Sequence, residues 1–221
     1  MMRERYEHQL GRLHEEMTAM CASCEQVVSL AMQMLTAQQP ELLQKVTEVD
    51  AGIDRREREI ESLCLKLLLE QQPVATDLRD ISAALKMISD LERIGDQAVD
   101  IADLAGYLQG KVIHEEEDLK QMAGEAIHMV NESIEAFLCR DLHRARAVIA
   151  YDDVVDGWFD RIREELIARI AADPQEGAGC IDLLMIAKYL ERIADHATNV
   201  AEWVEYTITG RRSKNGVFPE A

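Results

Sequence analysis

Apolar residues recur along this chain at intervals of three and four, the period of helices that bury one face. Leu10, Leu13, Met17, Met20, Cys24, Val27 and Val28 mark a first helix that ends near Ala37, ahead of Gln38-Gln39-Pro40. Pro40 suits the first turn of a second helix, which carries Leu43, Val46, Val49, Ile53, Ile60, Leu63 and Leu67 and ends near Gln71-Gln72. Pro73 opens a third, through Leu78, Ile81, Leu85, Ile88, Leu91 and Ile94 to about Tyr107, with Gly106 and Gly110 as its stop. The plan then repeats. A fourth helix spans about 115–139, with Met122, Ile127, Val130, Ile134 and Phe137. Asp141 caps a fifth, which carries Val148, Val155, Phe159, Ile162, Leu166 and Ile170 up to the break at Asp173-Pro174. The sixth holds Ile181, Leu184, Ile186, Leu190, Ile193 and Val200 and ends by Gly210.

Each half is thus three helices of about 30 residues, each about 45 Å long at ~1.5 Å per residue, joined by short connections into an up-down-up bundle. The expected fold is all-α: two pseudo-symmetric three-helix bundles over residues 1–110 and 111–210, followed by a polar tail, 211–221. The symmetry is written in the residues themselves. Residues 91–102 read LERIGDQAVDIA and residues 190–201 read LERIADHATNVA, with seven of twelve positions identical at an offset of 99.

Composition agrees with a helical globule. The 221 residues are 48% hydrophobic, enough for a core, and only 5% aromatic. The formal net charge of −18 repels a nucleic-acid backbone and argues against DNA or RNA as partner. No stretch reaches the ~18 consecutive apolar residues of a membrane span, and the charged start MMRERYEHQLGRLHEEM lacks the apolar run of a signal peptide. A cytoplasmic protein is expected. Five scattered cysteines suit a reducing compartment. Cys21 and Cys24 form a CxxC, but no strand precedes it and no nearby ligand pair completes a zinc set, so the expectation is two buried, inert side chains.

The acidic residues are more informative than their number. Glu92, Asp96 and Asp100 follow one another at intervals of four, and Glu191, Asp195 and Asn199 repeat the spacing. Such residues stack on one helix face, where each like-charged pair costs about 0.2–0.5 kcal/mol. Asp50 and Asp54 on the second helix, and Asp152 and Asp156 on the fifth, are also four apart. When the second helix folds against the third about Pro73, residues whose numbers average 73 meet at one level: Asp50 with Asp96, and Asp54 with Glu92. About Asp173-Pro174 the averages are 173.5, for Asp152 with Asp195 and Asp156 with Glu191. Each half can therefore bring four carboxylates together. Hard cations with oxygen ligands relieve such a cluster. The alternative is neutralisation by arginine, from Arg93, Arg192, Arg55, Arg56 and Arg161. His196 has Gln97 as its counterpart and reads as a surface residue or a support for a ligand. No GxSxG, Walker loop or HExxH is present, and no enzyme nucleophile is expected.

DLERIGDQAVDIA, YLERIADHATNVAE and the run QQPVATDLRDISAALKMISD resemble the PhoU family of phosphate-transport accessory proteins over nearly the whole chain. The resemblance implies two three-helix bundles whose ExxxD and DxxxD motifs bind metal ions. Carried over, the metal residues are Asp50, Asp54, Glu92, Asp96 and Asp100, and Asp152, Asp156, Glu191, Asp195 and Asn199. The metal would be Fe, Mn, Zn or Mg. The implied role is a cytoplasmic adaptor, a homodimer peripheral to the membrane, that restrains phosphate uptake and the starvation response. Its partners would be the ATPase subunit of the phosphate ABC transporter and a sensor histidine kinase. A carboxylate-bridged metal enzyme and a metal-storage bundle are the competing readings.

Overall fold

In a computed structural model the described residues form six long helices and one short 3-10 turn. The structure describes residues 2–37, 39, 41–71, 75–108, 110, 113 and 116–211. The expectations placed on Pro40, Pro73 and most of the polar tail lie outside these residues. The helices are α1 Met2–Ala37, α2 Leu42–Gln71, α3 Ala75–Tyr107, α4 Glu116–Cys139, α5 Leu142–Ala172 and α6 Gly177–Thr209. Helices α1, α2 and α3 pack on one another, as do α4, α5 and α6. The two bundles join along α3 against α6, the most extensive helix pair in the molecule, with α1 against α4 beside it.

The three-four pattern predicted the core well. Leu13, Met17, Met20, Cys24, Val27 and Val28 of α1, and Ile81, Ile88, Leu91 and Ile94 of α3, are essentially inaccessible, as are Ile186, Leu190, Ile193 and Val200 of α6. The largest departures are near helix beginnings, where Leu78 and Ile181 are about half exposed, while Leu10, Leu43, Val49, Leu85, Ile127, Phe159, Ile170 and Leu184 are only partly buried. Small residues line the α6 face: Ala187, Ala194, Ala197 and Ala201 are buried, and side chains this small let neighbouring helices approach closely.

Helix ends follow local chemistry. Asp141 accepts from the N–H groups of His143 (2.9 Å) and Arg144 (3.0 Å), satisfying two otherwise orphaned donors at the start of α5. Gly210 ends α6 with φ 71°, and its N–H returns to the Tyr206 carbonyl. Gly110 has φ 77°, but Gly106 sits inside the last turn of α3 and stops nothing. Arg140, at the α4–α5 corner, takes φ 53°, a region where glycine would be freer. Its guanidinium pairs with Asp80 of α3 and so fastens that corner to the other bundle. Between α5 and α6 the break is longer than the sequence suggests. Asp173 is followed by a 3-10 turn, Pro174–Glu176, before α6 begins.

The CxxC is structural. The Cys24 thiol donates to the Leu91 carbonyl of α3 at 3.3 Å, and the Cys21 thiol to Asn131 of α4, also at 3.3 Å. Burial pushes the Cys21 pKa up to about 12 and raises the Cys24 pKa well above the ordinary thiol value, so neither is a reactive thiolate. None of the five cysteines is in a disulfide among the described residues.

Candidate metal centre and the junction between halves

In the first half the folding of α2 onto α3 follows the level rule. Ser89 donates to Glu57 at 3.3 Å, a pair whose numbers average 73. Asp50 reaches α3 beside Gly95, so closely that a Cβ on Gly95 would lie 2.5 Å from Asp50 Oδ1 and 3.2 Å from Ile53 Cδ1. That oxygen is buried and has no hydrogen-bond partner. Its pKa rises to about 6, through burial first and then through Asp54 and Asp96. Glu92 is raised by burial and by Asp96, with Glu57 and Asp54 adding to it. Four predicted acids, Asp50, Asp54, Glu92 and Asp96, thus share one electrostatic neighbourhood, joined by Glu57, which sequence reasoning missed.

The arginines do little to neutralise it. Arg93 is 3.6 Å from both Glu92 and Asp96, but it is well exposed and its pairing is correspondingly weak. Arg56 turns away to Glu16 (2.8 Å), and Arg161 in the other half goes to Asp118 (3.1 Å) and Glu165 (3.3 Å).

The second half has the same acids in a different setting. Asp156 is raised by burial and then by Asp195, with Asp153 and Asp160 acting in the same direction. Thr198 donates to Asp152 at 3.2 Å. These contacts lie about one turn further along α6 than a corner at Asp173-Pro174 predicts. The 3-10 turn supplies the reason, since the connection of residues 173–176 centres on 174.5 rather than 173.5 and so raises the α6 residue number found at each level. A cation is also built in. Lys188 pairs with Glu191, lies 5.5 Å from the Phe159 ring centroid, and lowers the cost of charge on Asp156. The first-half counterpart of Lys188 is Ser89, which carries no charge.

The third member of each stack faces elsewhere. Asp100 accepts from the Tyr189 hydroxyl on α6, an interaction that opposes the upward shift burial gives its pKa. Asn199 donates to Asp90 of α3 at 3.2 Å, and His196 Nδ1 lies 2.9 Å from the same oxygen. Asp90 and Tyr189 are 99 residues apart, as are Asp100 and Asn199. The two contacts are therefore copies of one another across the pseudo-twofold axis between α3 and α6. Asp100 and Asn199 clasp the halves together, and His196 belongs to this junction. The repeat offset, applied one residue before LERI, was the available signal for Asp90 and Tyr189.

Among the described residues, no three His, Cys, Asp or Glu side chains already stand as a cage for one ion. The donor set is all oxygen, and the partnerless Asp50 Oδ1 is a ready ligand. The residues therefore fit a hard cation in the first half. In the second half Lys188 already occupies part of that role.

A family model described as the PhoU domain matches this chain twice, over residues 17–105 and 119–204. The chain belongs to the PhoU family. A phosphate-specific transport system accessory protein PhoU homolog of Clostridium acetobutylicum is 36% identical, with 96% of this chain and 98% of that protein covered. The Deinococcus radiodurans homolog is 32% identical over 96% of this chain and all of its own length. The crystal structure of PhoU from Pseudomonas aeruginosa superposes with a TM-score of 0.87 at 32% identity, covering 93% of this chain and 100% of that one. The phosphate transport system regulatory protein PhoU from Streptococcus pneumoniae gives 0.86 at 26% identity, covering 94% and 98%. The six-helix, two-bundle architecture is thus that of the solved PhoU structures, and each family match carries one acidic pair of helices.

Proposed function

We propose that this chain is a regulatory accessory protein of a phosphate-specific transport system, and that it acts by contact rather than catalysis. The observation that carries the reading is its near-full-length relation to proteins of that name. In this reading it works in the cytoplasm as a homodimer. It restrains phosphate uptake and the starvation response by linking the transporter's ATPase subunit to a sensor histidine kinase. Among the described residues no helix is long and apolar enough to cross a membrane, which suits a protein that reaches the membrane through partners.

Metal enters as a structural element. Asp50, Asp54, Glu92 and Asp96 would hold a hard cation in the first half, and Asp152, Asp156, Glu191 and Asp195 a weaker one in the second. Bound there, the ion supplies positive charge between helices that otherwise repel. The chain's own residues set the difference between the two sites, because Lys188 competes in one half and Ser89 does not in the other. Gly95 keeps Asp50 in place. Gly95→Ala is expected to displace the Asp50 carboxylate and weaken first-half Mn binding by about tenfold, the usual scale for disturbing the support of a ligand. Isothermal titration of the variant with Mn checks this, and unchanged affinity would remove Asp50 from the set.

Deleting the gene tests the role itself. Phosphate-starvation reporters should become active in phosphate-rich medium and fall silent again when the wild-type copy is restored. A deletion strain that keeps its reporters low in rich medium and still induces them on starvation would sink the assignment.

A further inference from the structure

The net charge is −18, yet one groove on the outer side of the first bundle is basic. It runs between α1 and α2, has a volume of about 490 Å³, and is lined by Arg12, Arg55, Arg58 and Lys66 together with Glu16 and Glu59. Glu16 is engaged by Arg56. Among the described residues none of the four lining cations forms an ion pair or hydrogen bond. The second half behaves oppositely: Arg144, Arg146, Arg161, Arg163 and Arg169 each hold a carboxylate. Four mutually repelling cations left without partners, in a chain with carboxylates to spare, call for an anion from outside.

The shape tells which kind. From Arg55 to Lys66 is eleven residues of helix, about 16 Å at ~1.5 Å per residue. A second depression of about 270 Å³ shares Arg55 and Glu59 and extends the groove toward Ser23 and Gln26 of α1. One compact anion would reach only part of this length. The exposed stripe of α2 also continues past the charges: Leu65 is 49% and Leu69 is 84% exposed, and both fall on the same 120° face as Arg55, Arg58, Ser62 and Lys66. At the floor, Gln9 is only 8% exposed and its buried Oε1 has no partner. A buried amide without a partner is costly, and a polar group seated in the groove would relieve it.

We propose that the α1–α2 groove docks an acidic amphipathic segment of a partner protein. Its carboxylates meet Arg12, Arg55, Arg58 and Lys66, and its apolar side chains cover Leu65 and Leu69. This is the helix-in-groove mode of recognition, with charge setting orientation and salt sensitivity. The inference stands apart from the metal centre and from the transport reading, since it uses none of those residues.

The test uses the full-length, chelator-treated protein and a fluorescein-labelled synthetic amphipathic helix with glutamates on one face and leucines beside them. Anisotropy should rise saturably with the Glu peptide and not with its Lys counterpart. Binding should weaken about tenfold or more in Arg58→Glu/Lys66→Glu, and also on raising salt from about 50 to 200 mM. Leu65→Ser/Leu69→Ser should weaken it several-fold. Lys45→Glu, also exposed on α2 but outside the groove, should leave it unchanged. Arg58→Gln/Lys66→Gln repeats the charge removal with little change of size, and circular dichroism confirms that each variant is folded. Three results would overturn the proposal. The charge-reversed variant could bind the peptide as wild type does. Inorganic tripolyphosphate could bind more tightly than the peptide, making the groove a small-anion site. Sedimentation could show self-association that disappears with Arg58→Glu/Lys66→Glu, making the occupant a second copy of this chain.

Discussion

Glu92→Ala/Asp96→Ala is expected to abolish the tighter of two classes of metal site, while Glu191→Ala/Asp195→Ala abolishes only the weaker. The two halves carry the same acids by sequence, but their surroundings differ. Asp50 Oδ1 is buried without a partner, Asp54 and Asp96 act on Asp50, and Asp96, Glu57 and Asp54 act on Glu92. The nearest cation, Arg93, is exposed and 3.6 Å from its acids. A metal entering there meets uncompensated charge. In the second half Lys188 is already paired with Glu191, and Thr198 donates to Asp152. A metal must displace or outweigh those contacts. Titration of chelated protein with Mn or Zn, followed by metal analysis after dialysis, reads both classes. Lys188→Ala should strengthen the weaker class and leave the tighter one alone. Two sites of equal affinity in wild type would contradict the role given to Lys188. Failure to bind any metal would leave the acids as mutually repelling faces partly screened by Arg93 and Lys188.

Asp50→Asn should change stability in opposite directions with and without metal. Without metal, the folded-state pKa of about 6 lies above the ordinary carboxylate value of 3.8. The folded protein therefore holds a proton that the unfolded chain releases between those values. The charge on Asp50 costs stability above about pH 6 and nothing below about pH 4. A shift of this size on a fully buried group corresponds to roughly 3 kcal/mol. Asp50 is only about half buried, and solvent screening reduces the figure to about 1 kcal/mol. Asp50→Asn should thus raise the thermal midpoint of the chelated protein near pH 8, and the gain should vanish near pH 4. With metal at about 100 times its dissociation constant, wild type gains roughly 2.7 kcal/mol from binding. The variant loses much of that gain and becomes the less stable protein. Thermal denaturation in chelator and in Mn at both pH values measures all four cases. A variant that is stabilised equally in chelator and in Mn would show that Asp50 is no ligand.

Local pattern carried most of the fold. Helix number, the buried face of each helix and the Asp141 cap are all properties of residues within a turn or two of one another, so spacing alone reveals them. The 99-residue repeat carried the pseudo-symmetry as well, because both copies of LERI sit at matching places in α3 and α6. The level argument brought Asp50 to α3 correctly, since an antiparallel helix pair with a short connection has only one register. It misplaced the acids of the second half by about a turn, because the 3-10 turn at Pro174–Glu176 lengthens the connection and no periodicity announces it.

What only the tertiary structure decided was where each side chain is directed and what it meets. Asp100 and Asn199 continue the acidic stacks in sequence, yet each turns across the α3–α6 junction, to Tyr189 and Asp90. A stack at intervals of four drifts around the helix, because 3.6 residues make a turn, and its last member has rotated toward the neighbouring bundle. Lys188 can pair with Glu191 three residues on, as spacing alone allows, but only folding sets it beside Phe159 of α5. The basic groove was equally hidden. Arg12 lies more than forty residues before Arg55 in the chain, and only the packing of α1 on α2 gathers their charges. Helical periodicity is a short-range property that a single sequence displays. Electrostatic neighbourhoods are set by contacts between distant segments, and these exist only once the helices have packed.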